Sequence, residues 1–237
     1  MNNAVPNFQN QTMKVKPQYL TFLLMLYVTI SLAGNAVLFK IVQIGFITGP
    51  GGILVMPLIL LLEDVIAEVY GYKISRALLW YILISEIIFS AIVISIIHAP
   101  SPGYWHEQGA FNSVFGSLLE GTPTLVFAIF AGRFLNLYVI TKLKVLVKGR
   151  YFWIRSIFSC LCGDLVTLTI VYALLFEGMP YSVRAHLYLS DLFMRVAYSI
   201  FGGGIGVLVV RYLKKKEGLD VYDYSTVFNP FRLNVNK

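Results

Sequence analysis

Cysteine and charged residues are both scarce in this sequence. Its 237 residues include only two cysteines, Cys160 and Cys162, which excludes a disulfide scaffold and a four-cysteine zinc site. Charged residues make up 13% of the chain, against about 25% in typical soluble domains. Because hydrophobic residues reach 57%, too few polar side chains remain to cover a soluble surface. The composition therefore predicts a membrane protein.

Motifs for metal, nucleotide and catalytic chemistry are also missing. His98, His106 and His186 do not form an H-x-x-x-H or H-E-x-x-H spacing, so a metal site is not expected. The sequence has no Walker loop, no GxGxxG and no GxSxG. We therefore expect a protein that is not an enzyme and holds no cofactor.

Six apolar segments approach the roughly 20 residues that a helix needs to cross a bilayer. We expect an all-α membrane protein with a six-helix transmembrane domain over residues 19–213. A polar N-terminal tail (1–18), without a cleavable signal peptide, and a loosely ordered C-terminal tail (214–237) flank it, and a long loop runs from His98 to Pro123. The segments are Tyr19 to Phe39, Ile53 to Val69, Ala77 to Ile97, Thr124 to Thr141, Tyr151 to Phe176 and Leu187 to Leu213.

Basic residues are distributed unevenly around these segments. Most of the 19 lysines and arginines lie in the two tails and in the loops after the second and fourth segments, and the other three loops contain only Arg184. Positively charged loops stay in the cytoplasm. This pattern predicts cytoplasmic termini in a multi-pass protein of the cell inner membrane. The net charge of +7 then sets orientation and does not indicate nucleic acid binding.

Charged side chains inside the predicted spans are the first candidates for function. A charge at mid-bilayer costs about 2.5–3.5 kcal/mol on insertion scales, so it has to face protein or a water-filled cavity. Asp64 and Glu68 are four residues apart and share a helix face, whereas Glu63 points elsewhere. Glu68 either faces such a cavity or lies in the inner headgroup region near Lys73 and Arg76.

Other candidates come from the first, fourth, fifth and sixth segments. Arg133 lies deep in the fourth segment, and Asp164 in the fifth is its predicted partner. Asp191 and Arg195 are four residues apart and form a second predicted pair. Lys40 either snorkels to the outer interface or balances buried carboxylates. The remaining candidates are Asn35, Glu86 and Asn136.

A distinctive motif lies between Gly34 and Trp80. It consists of Asn35 and Lys40, Pro57, the run Glu63-Asp64-x-x-x-Glu68-x-Tyr70-Gly71, and then Lys73, Arg76 and Trp80. This motif resembles that of the queuosine precursor transporters, a vitamin-uptake-like family of six-helix membrane proteins, and the resemblance extends more weakly to Arg195 in the last span. The resemblance implies an importer of 7-deazaguanines such as queuine, preQ1 or preQ0, which feed queuosine modification of tRNA.

The resemblance and the buried polar residues together select the candidate site. The partners expected are a purine-like small molecule and the lipid bilayer, and a homodimer stays open. Asn136 stands where the family often has Asp, and Asp164 falls at a position where the family usually has an amide. Glu86 is the candidate for coupling. The candidates for substrate binding are Asn35, Lys40, Asp64, Glu68, Arg133, Asn136, Asp164 and Arg195.

Two other functions remain open from the sequence. The first is a substrate-binding membrane subunit of an energy-coupled vitamin importer, although the first segment lacks a clear Ala-x-x-x-Ala coupling motif. The second is an intramembrane aspartyl hydrolase that uses Asp64 and Asp164. Such enzymes need a Gly-x-Gly-Asp context, and the residues before Asp164 are Leu161, Cys162 and Gly163.

Overall fold

Helices form nearly all of the structure. The computed structural model describes residues 17–45, 47–224 and 226–232. Strands β1 (Ile41–Ile44) and β2 (Ile47–Pro50) form an antiparallel hairpin with Ile41 opposite Pro50, and a short 3₁₀ helix (Gly51–Leu54) follows. The helices are α1 (Leu20–Ala36), α2 (Met56–Tyr70), α3 (Tyr72–Ile97), α4 (Gln108–Leu146), α5 (Phe152–Leu174) and α6 (Tyr181–Glu217).

Each of the six predicted segments corresponds to one helix. Among the described residues, α3, α4, α5 and α6 are long and apolar enough to cross a membrane, and α1 is a shorter apolar helix. The 15 residues of α2 span about 22 Å at 1.5 Å per residue, less than a bilayer core of about 30 Å. A membrane-embedded helical bundle is therefore supported. Six complete crossings remain a prediction.

The loop predicted from His98 to Pro123 is wrong over most of its length. Helix α4 begins at Gln108, so only residues 98–107 separate α3 from α4, and Pro123 lies inside the helix. The glycines, serines and proline of residues 109–123 weaken the apolar signal there, so the sequence pattern predicts a loop where the helix continues. A proline is tolerated inside a membrane helix when neighbouring groups satisfy the freed carbonyl.

Helix α2 lies at the centre of the bundle. It contacts each of the other five helices, most extensively α6 and α1. Every residue from Glu63 to Tyr70 is buried, including three carboxylates. The acids of α2, Glu68 among them, are thus buried inside the protein.

Helices α4 and α5 approach each other at two facing glycines. A Cβ on Gly132 would lie 2.6 Å from the carbonyl oxygen of Gly163, and a Cβ on Gly163 would lie 2.7 Å from that of Gly132. Small residues at such crossings let helix backbones come close enough for extensive packing. This contact brings Asn136 on α4 next to the side chains of α5.

The start of α1 and the ends of α2 and α6 meet at Glu217. Its carboxylate accepts hydrogen bonds from the backbone N–H groups of Gln18 (3.1 Å) and Tyr19 (2.7 Å) and from the Tyr70 hydroxyl (3.1 Å). A carboxylate at this position satisfies N–H groups that a helix start leaves without intrahelical partners. We refer to this end of the bundle as the Glu217 end, and the β1–β2 hairpin lies at the opposite end.

The chain after α6 is packed on the bundle, in contrast to the loosely ordered tail expected from the sequence. Residues 218–224 and 226–232, here called the C-terminal segment, cross the Glu217 end. Within it Leu219 and Asp223 are buried. The polar composition of the segment hid this packing, in which Leu219 and Phe228 contact the core of the bundle alongside ion pairs and hydrogen bonds.

The glycine contact between α4 and α5 predicts a specific loss of stability. Gly163→Ala places a methyl group against the backbone of α4, and overpacking of this kind costs about 1–3 kcal/mol. We expect the substitution to lower the thermal unfolding temperature in detergent. Gly202→Ala on α6 is the matched control, since a Cβ at Gly202 has no atom within 4 Å. Equal unfolding temperatures for the two variants would contradict the close approach.

Candidate functional site

Glu63 is the central acid of the bundle, and a cation from α4 neutralises it. Arg133 Nη1 lies 2.9 Å from Glu63 Oε2, and both side chains are buried. The Tyr27 hydroxyl donates to the same oxygen at 3.4 Å, and Asn136 Nδ2 lies 3.5 Å from Glu63 Oε1. The Glu63 carboxylate therefore binds side chains of α1 and α4. Such pairing is expected, because an unpaired buried charge is strongly destabilising.

Asp64 faces α4 and α5 and is held by neutral donors. Asn136 Nδ2 donates to Asp64 Oδ1 at 3.0 Å. The hydroxyl of Ser156 and the thiol of Cys160, the latter at 3.3 Å, both donate to Asp64 Oδ2. The Asp64 carboxylate is 0% exposed. These bonds join α2 to α5 through one side chain.

Glu68 binds cations from three helices. Lys214 Nζ of α6 is 2.7 Å from Glu68 Oε1, and Arg155 Nη1 of α5 is 3.0 Å from Glu68 Oε2. Lys144 Nζ of α4 lies 3.8 Å from Glu68 Oε1 and donates to the Glu68 backbone carbonyl at 2.6 Å. We call Glu68, Lys144, Arg155 and Lys214 the Glu68 cluster. It ties α2 to α4, α5 and α6 at the Glu217 end.

A separate acid–base group joins α5 to α6. Arg195 Nη1 lies 2.8 Å from Asp164 Oδ1, and Arg195 Nε lies 2.8 Å from Asp191 Oδ1. Tyr172 donates to Asp191 at 3.4 Å. The predicted pairing of Asp191 with Arg195 is confirmed. The predicted pairing of Arg133 with Asp164 is wrong, because Arg133 binds Glu63 and Asp164 binds Arg195 instead.

Two small adjoining cavities lie among α1, α2, α3 and α4. Asn35, Glu86 and Ile129 line both of them. The usable space in each is on the scale of about one water molecule, far below the roughly 300–1,000 Å³ of a ligand pocket, so the bundle is closed around these spaces.

Glu86 has a different environment from the acids of α2. The bond that it makes in the described structure is a short one from Asn35 Nδ2 on α1. Ser90, one turn along α3, accepts a hydrogen bond from Thr122 at 2.8 Å and lines the first cavity. Ser31 lines the second, and its buried hydroxyl has no hydrogen-bond partner among the described residues. The Glu86 carboxylate therefore borders two small spaces that the Ser31 and Ser90 hydroxyls also line.

The site residues predicted from the sequence lie in five separate places. Asp64, Arg133 and Asn136 lie together at the centre, Glu68 lies at the Glu217 end, and Asp164 and Arg195 form their own pair. Asn35 lies with Glu86 at the cavities. Lys40 is exposed after α1, and no ion pair of Lys40 is found in the described part of the chain.

Several residues of these clusters were not selected from the sequence. Helical spacing does not show which side chains on other helices a residue will meet, so Tyr27 and Ser156 gave no signal. The helical spacing places Glu63 on a different face from Asp64, and it was therefore not selected. Because α2 is central, side chains on each of its faces have partners on other helices. Lys144, Arg155 and Lys214 were interpreted only as markers of orientation.

The geometry gives little support to hydrolytic or metal chemistry. Asp64 and Asp164 bind different partners, and the hydrogen bonds of the described residues do not join them. No group of three or more histidine, cysteine or acidic residues within residues 17–45, 47–224 and 226–232 is arranged to hold a metal ion. Nothing in the described site therefore corresponds to an aspartyl dyad.

Apolar spans with charged residues buried and paired inside the bundle are typical of membrane proteins that carry a function within the membrane. The family described as "Putative vitamin uptake transporter" matches residues 50–209 of the chain, and the chain belongs to that family. This match agrees with the resemblance found in the sequence. Comparison with curated proteins and with solved structures gave no match.

The Glu63–Arg133 pair predicts a characteristic pattern of stability losses. Glu63→Gln or Arg133→Gln alone leaves one buried charge without its partner, at a cost of about 3–5 kcal/mol. The double variant removes both charges, so we expect it to unfold at a higher temperature than either single variant. Thermal unfolding of the four purified proteins in the same detergent measures this. Additive losses in the double variant would contradict a direct pair.

Proposed function

We propose that the protein imports queuosine precursors, 7-deazaguanines such as queuine, preQ1 or preQ0, across the cell inner membrane for tRNA modification. In this proposal the Glu217 end faces the cytoplasm, as the distribution of basic residues predicts. Family membership supports a transporter of the vitamin-uptake type. The substrate class rests on the resemblance of residues 34–80 and on the chemistry of the cavities.

The Asn35–Glu86 pair is the observation that carries the proposal. The other buried acids of the bundle described above are engaged by cations or by several donors, whereas Glu86 is bound by one amide and lines both cavities. A guanine-type ring offers an N1–H and a 2-amino group on one edge, and a carboxylate accepts both together. Glu86 is therefore the acid best placed to bind that edge.

Asn35 complements this interaction with its amide. Its side chain has a carbonyl oxygen and two N–H donors, which match the ring oxygen and nitrogens of a deazaguanine. The Ser31 hydroxyl supplies a further group that is buried and has no partner in the described structure. Hydrogen bonds to groups that would otherwise stay unpaired contribute strongly to selectivity, because their loss leaves buried polar atoms unsatisfied.

Binding requires the bundle to open around the cavities. Their volumes are small, and the Asn35–Glu86 bond links α1 to α3 across them. A bound substrate would donate hydrogen bonds to the Glu86 carboxylate in place of Asn35. We therefore expect α1 and α3 to separate only when substrate is present to bind Glu86. Transporters with a midplane site alternate access in a comparable way, by moving one group of helices against another.

The proposal predicts the effect of neutralising Glu86. Glu86→Gln cannot accept both donors of a guanine-type edge, and loss of a charge-assisted hydrogen bond costs about 1.5–3 kcal/mol. We expect the KM for queuine uptake to rise about 10- to 100-fold. Asn35→Ala should act in the same direction. Glu177→Gln, an exposed acid after α5, is the matched control and should leave uptake unchanged.

A complementation assay measures this in cells. A strain that lacks queuosine synthesis and its own precursor importer is supplied with this gene and fed queuine, preQ1 or preQ0, and queuosine in its tRNA is quantified. Wild-type protein should restore queuosine, and Glu86→Gln should restore it only at raised precursor concentration. Failure of well-expressed wild-type protein with all three precursors would contradict the substrate class.

Purification tests the competing assignment to an energy-coupled vitamin importer. A substrate-binding subunit of that kind would copurify with ATPase subunits from its native membrane. We expect the purified protein alone, reconstituted in liposomes, to exchange labelled queuine across the bilayer. Exchange that appears only after ATPase subunits are added would favour the energy-coupled importer.

A further inference from the structure

The C-terminal segment joins helices that surround the bundle on different sides. Near α2 and α3, Val221 N–H donates to the Val69 carbonyl (3.3 Å), and Asp223 accepts from the Tyr72 backbone N–H (2.9 Å). Near α4, Lys144 Nζ donates to Asp220 Oδ1 and to the Val221 carbonyl, both at 2.7 Å. The segment therefore bridges the α2–α3 corner and the end of α4.

The segment continues along α3 to residue 232. Arg76 Nη1 donates to the Asn229 carbonyl at 3.0 Å, and Trp80 Nε1 donates to the Pro230 carbonyl at 2.7 Å. The ring of Phe228 packs edge-on against Tyr72, with 4.8 Å between centroids. Residues 72, 76 and 80 follow one face of α3, so that face is covered over more than two turns.

A glycine allows the close approach of the segment to the α2–α3 corner. Gly71 has φ +82°, and a Cβ at this position would lie 2.6 Å from Val221 Cγ1. A residue other than glycine would be strained here, both by the positive φ and by the lack of space for a Cβ. The same turn also presents the Tyr72 N–H to Asp223, so the corner is shaped to receive the segment.

The Glu68 cluster also binds the C-terminal segment. Lys144 and Lys214 bind Glu68, and both also bind Asp220 of the C-terminal segment, Lys214 at 2.9 Å. The side chain of Glu68 is 1% exposed, whereas those of Lys214 and Asp220 are 23% and 40% exposed. The cluster thus runs from the buried interior to the surface, where water can replace its outer contacts at low cost.

We propose that the C-terminal segment and the Glu68 cluster form the gate at the Glu217 end of the transport pathway. The inference rests on the proposed transport function. With the segment in place, ion pairs and hydrogen bonds hold α2, α3, α4, α5 and α6 together at this end. Release of substrate here requires the segment to leave the α3 face and Lys144 and Lys214 to separate from Glu68.

The segment combines contacts that exchange easily with contacts that hold it closed. The Lys214–Asp220 pair reaches the surface and exchanges with water at small net cost. The Lys144–Glu68 pair is buried, and Leu219 and Phe228 pack on the core, so these contacts hold the closed state. Glu68 acts here as a positioning residue, since its contacts are with protein cations and not with the cavities that Glu86 lines. A change at Glu68 should therefore alter opening of the gate before it alters recognition.

A cysteine at Ser75 reports the state of the gate. Ser75 lies on the α3 face that also carries Tyr72 and Arg76, it is 0% exposed, and its hydroxyl has no hydrogen-bond partner among the described residues. Ser75→Cys is made in a background with Cys160→Ser and Cys162→Ser. The protein is reconstituted, and an impermeant maleimide is added on the side of the Glu217 end.

The labelling rates distinguish a gate from a fixed cover. We expect slow labelling in the parent, at least tenfold faster labelling in Glu68→Gln and in Asp223→Ala, and no change in Glu177→Gln. Addition of queuine should raise the parent rate at least threefold. Asp223→Ala acts on the segment alone, so it decides the result if Glu68→Gln does not fold. Rates within twofold of the parent for the folded variants, or no response to queuine in vesicles that transport it, would overturn the gate.

Transport in the same vesicles separates the two proposals. Queuine uptake by the parent together with unchanged labelling would refute the gate and leave the proposed function standing. Faster labelling in both variants without uptake of any precursor by the parent would refute the proposed substrate and support the segment as a closure that can open.

Discussion

The cost of leaving a charge unpaired in a low-dielectric interior governs the arrangement of this bundle. Helix α2 lies at the centre and buries three acids inside the protein. Each acid is bound by side chains from other helices: Glu63 by α1 and α4, Asp64 by α4 and α5, and Glu68 by α4, α5 and α6. The helix positions therefore depend on one another through these acids.

The same constraint separates structural acids from the acid that is available for a ligand. A carboxylate already neutralised by arginine would have to lose that partner to bind substrate, which costs as much as breaking a buried pair. Glu86 is bound by the neutral amide of Asn35 and lines two cavities. It can exchange one hydrogen-bond donor for another while the ion pairs of α2 stay intact. In this account Glu86 binds the substrate, and the acids of α2 hold the helices together.

Much of the fold could be predicted from the sequence, because hydropathy and helix length report burial in lipid directly. The six helices were located in this way, but the start of α4 was missed where glycines, serines and Pro123 dilute the apolar pattern. The family was recognised from residues 34–80. The partners of Arg133 and Asp164 were assigned wrongly, since sequence spacing gives the face of a helix but not its neighbours. The packing of residues 218–224 and 226–232 was missed because ion pairs, hydrogen bonds and single aromatic contacts have no periodic signature.

A structure of the protein in lipid nanodiscs with queuine bound tests the central claim most directly. The account predicts queuine between α1 and α3, with its N1–H and 2-amino group within hydrogen-bond distance of the Glu86 carboxylate. Asn35 should then contact the ring, and Arg133 should remain on Glu63. Queuine bound to Asp64 or Glu63 instead, with the Glu63–Arg133 pair separated, would contradict the account.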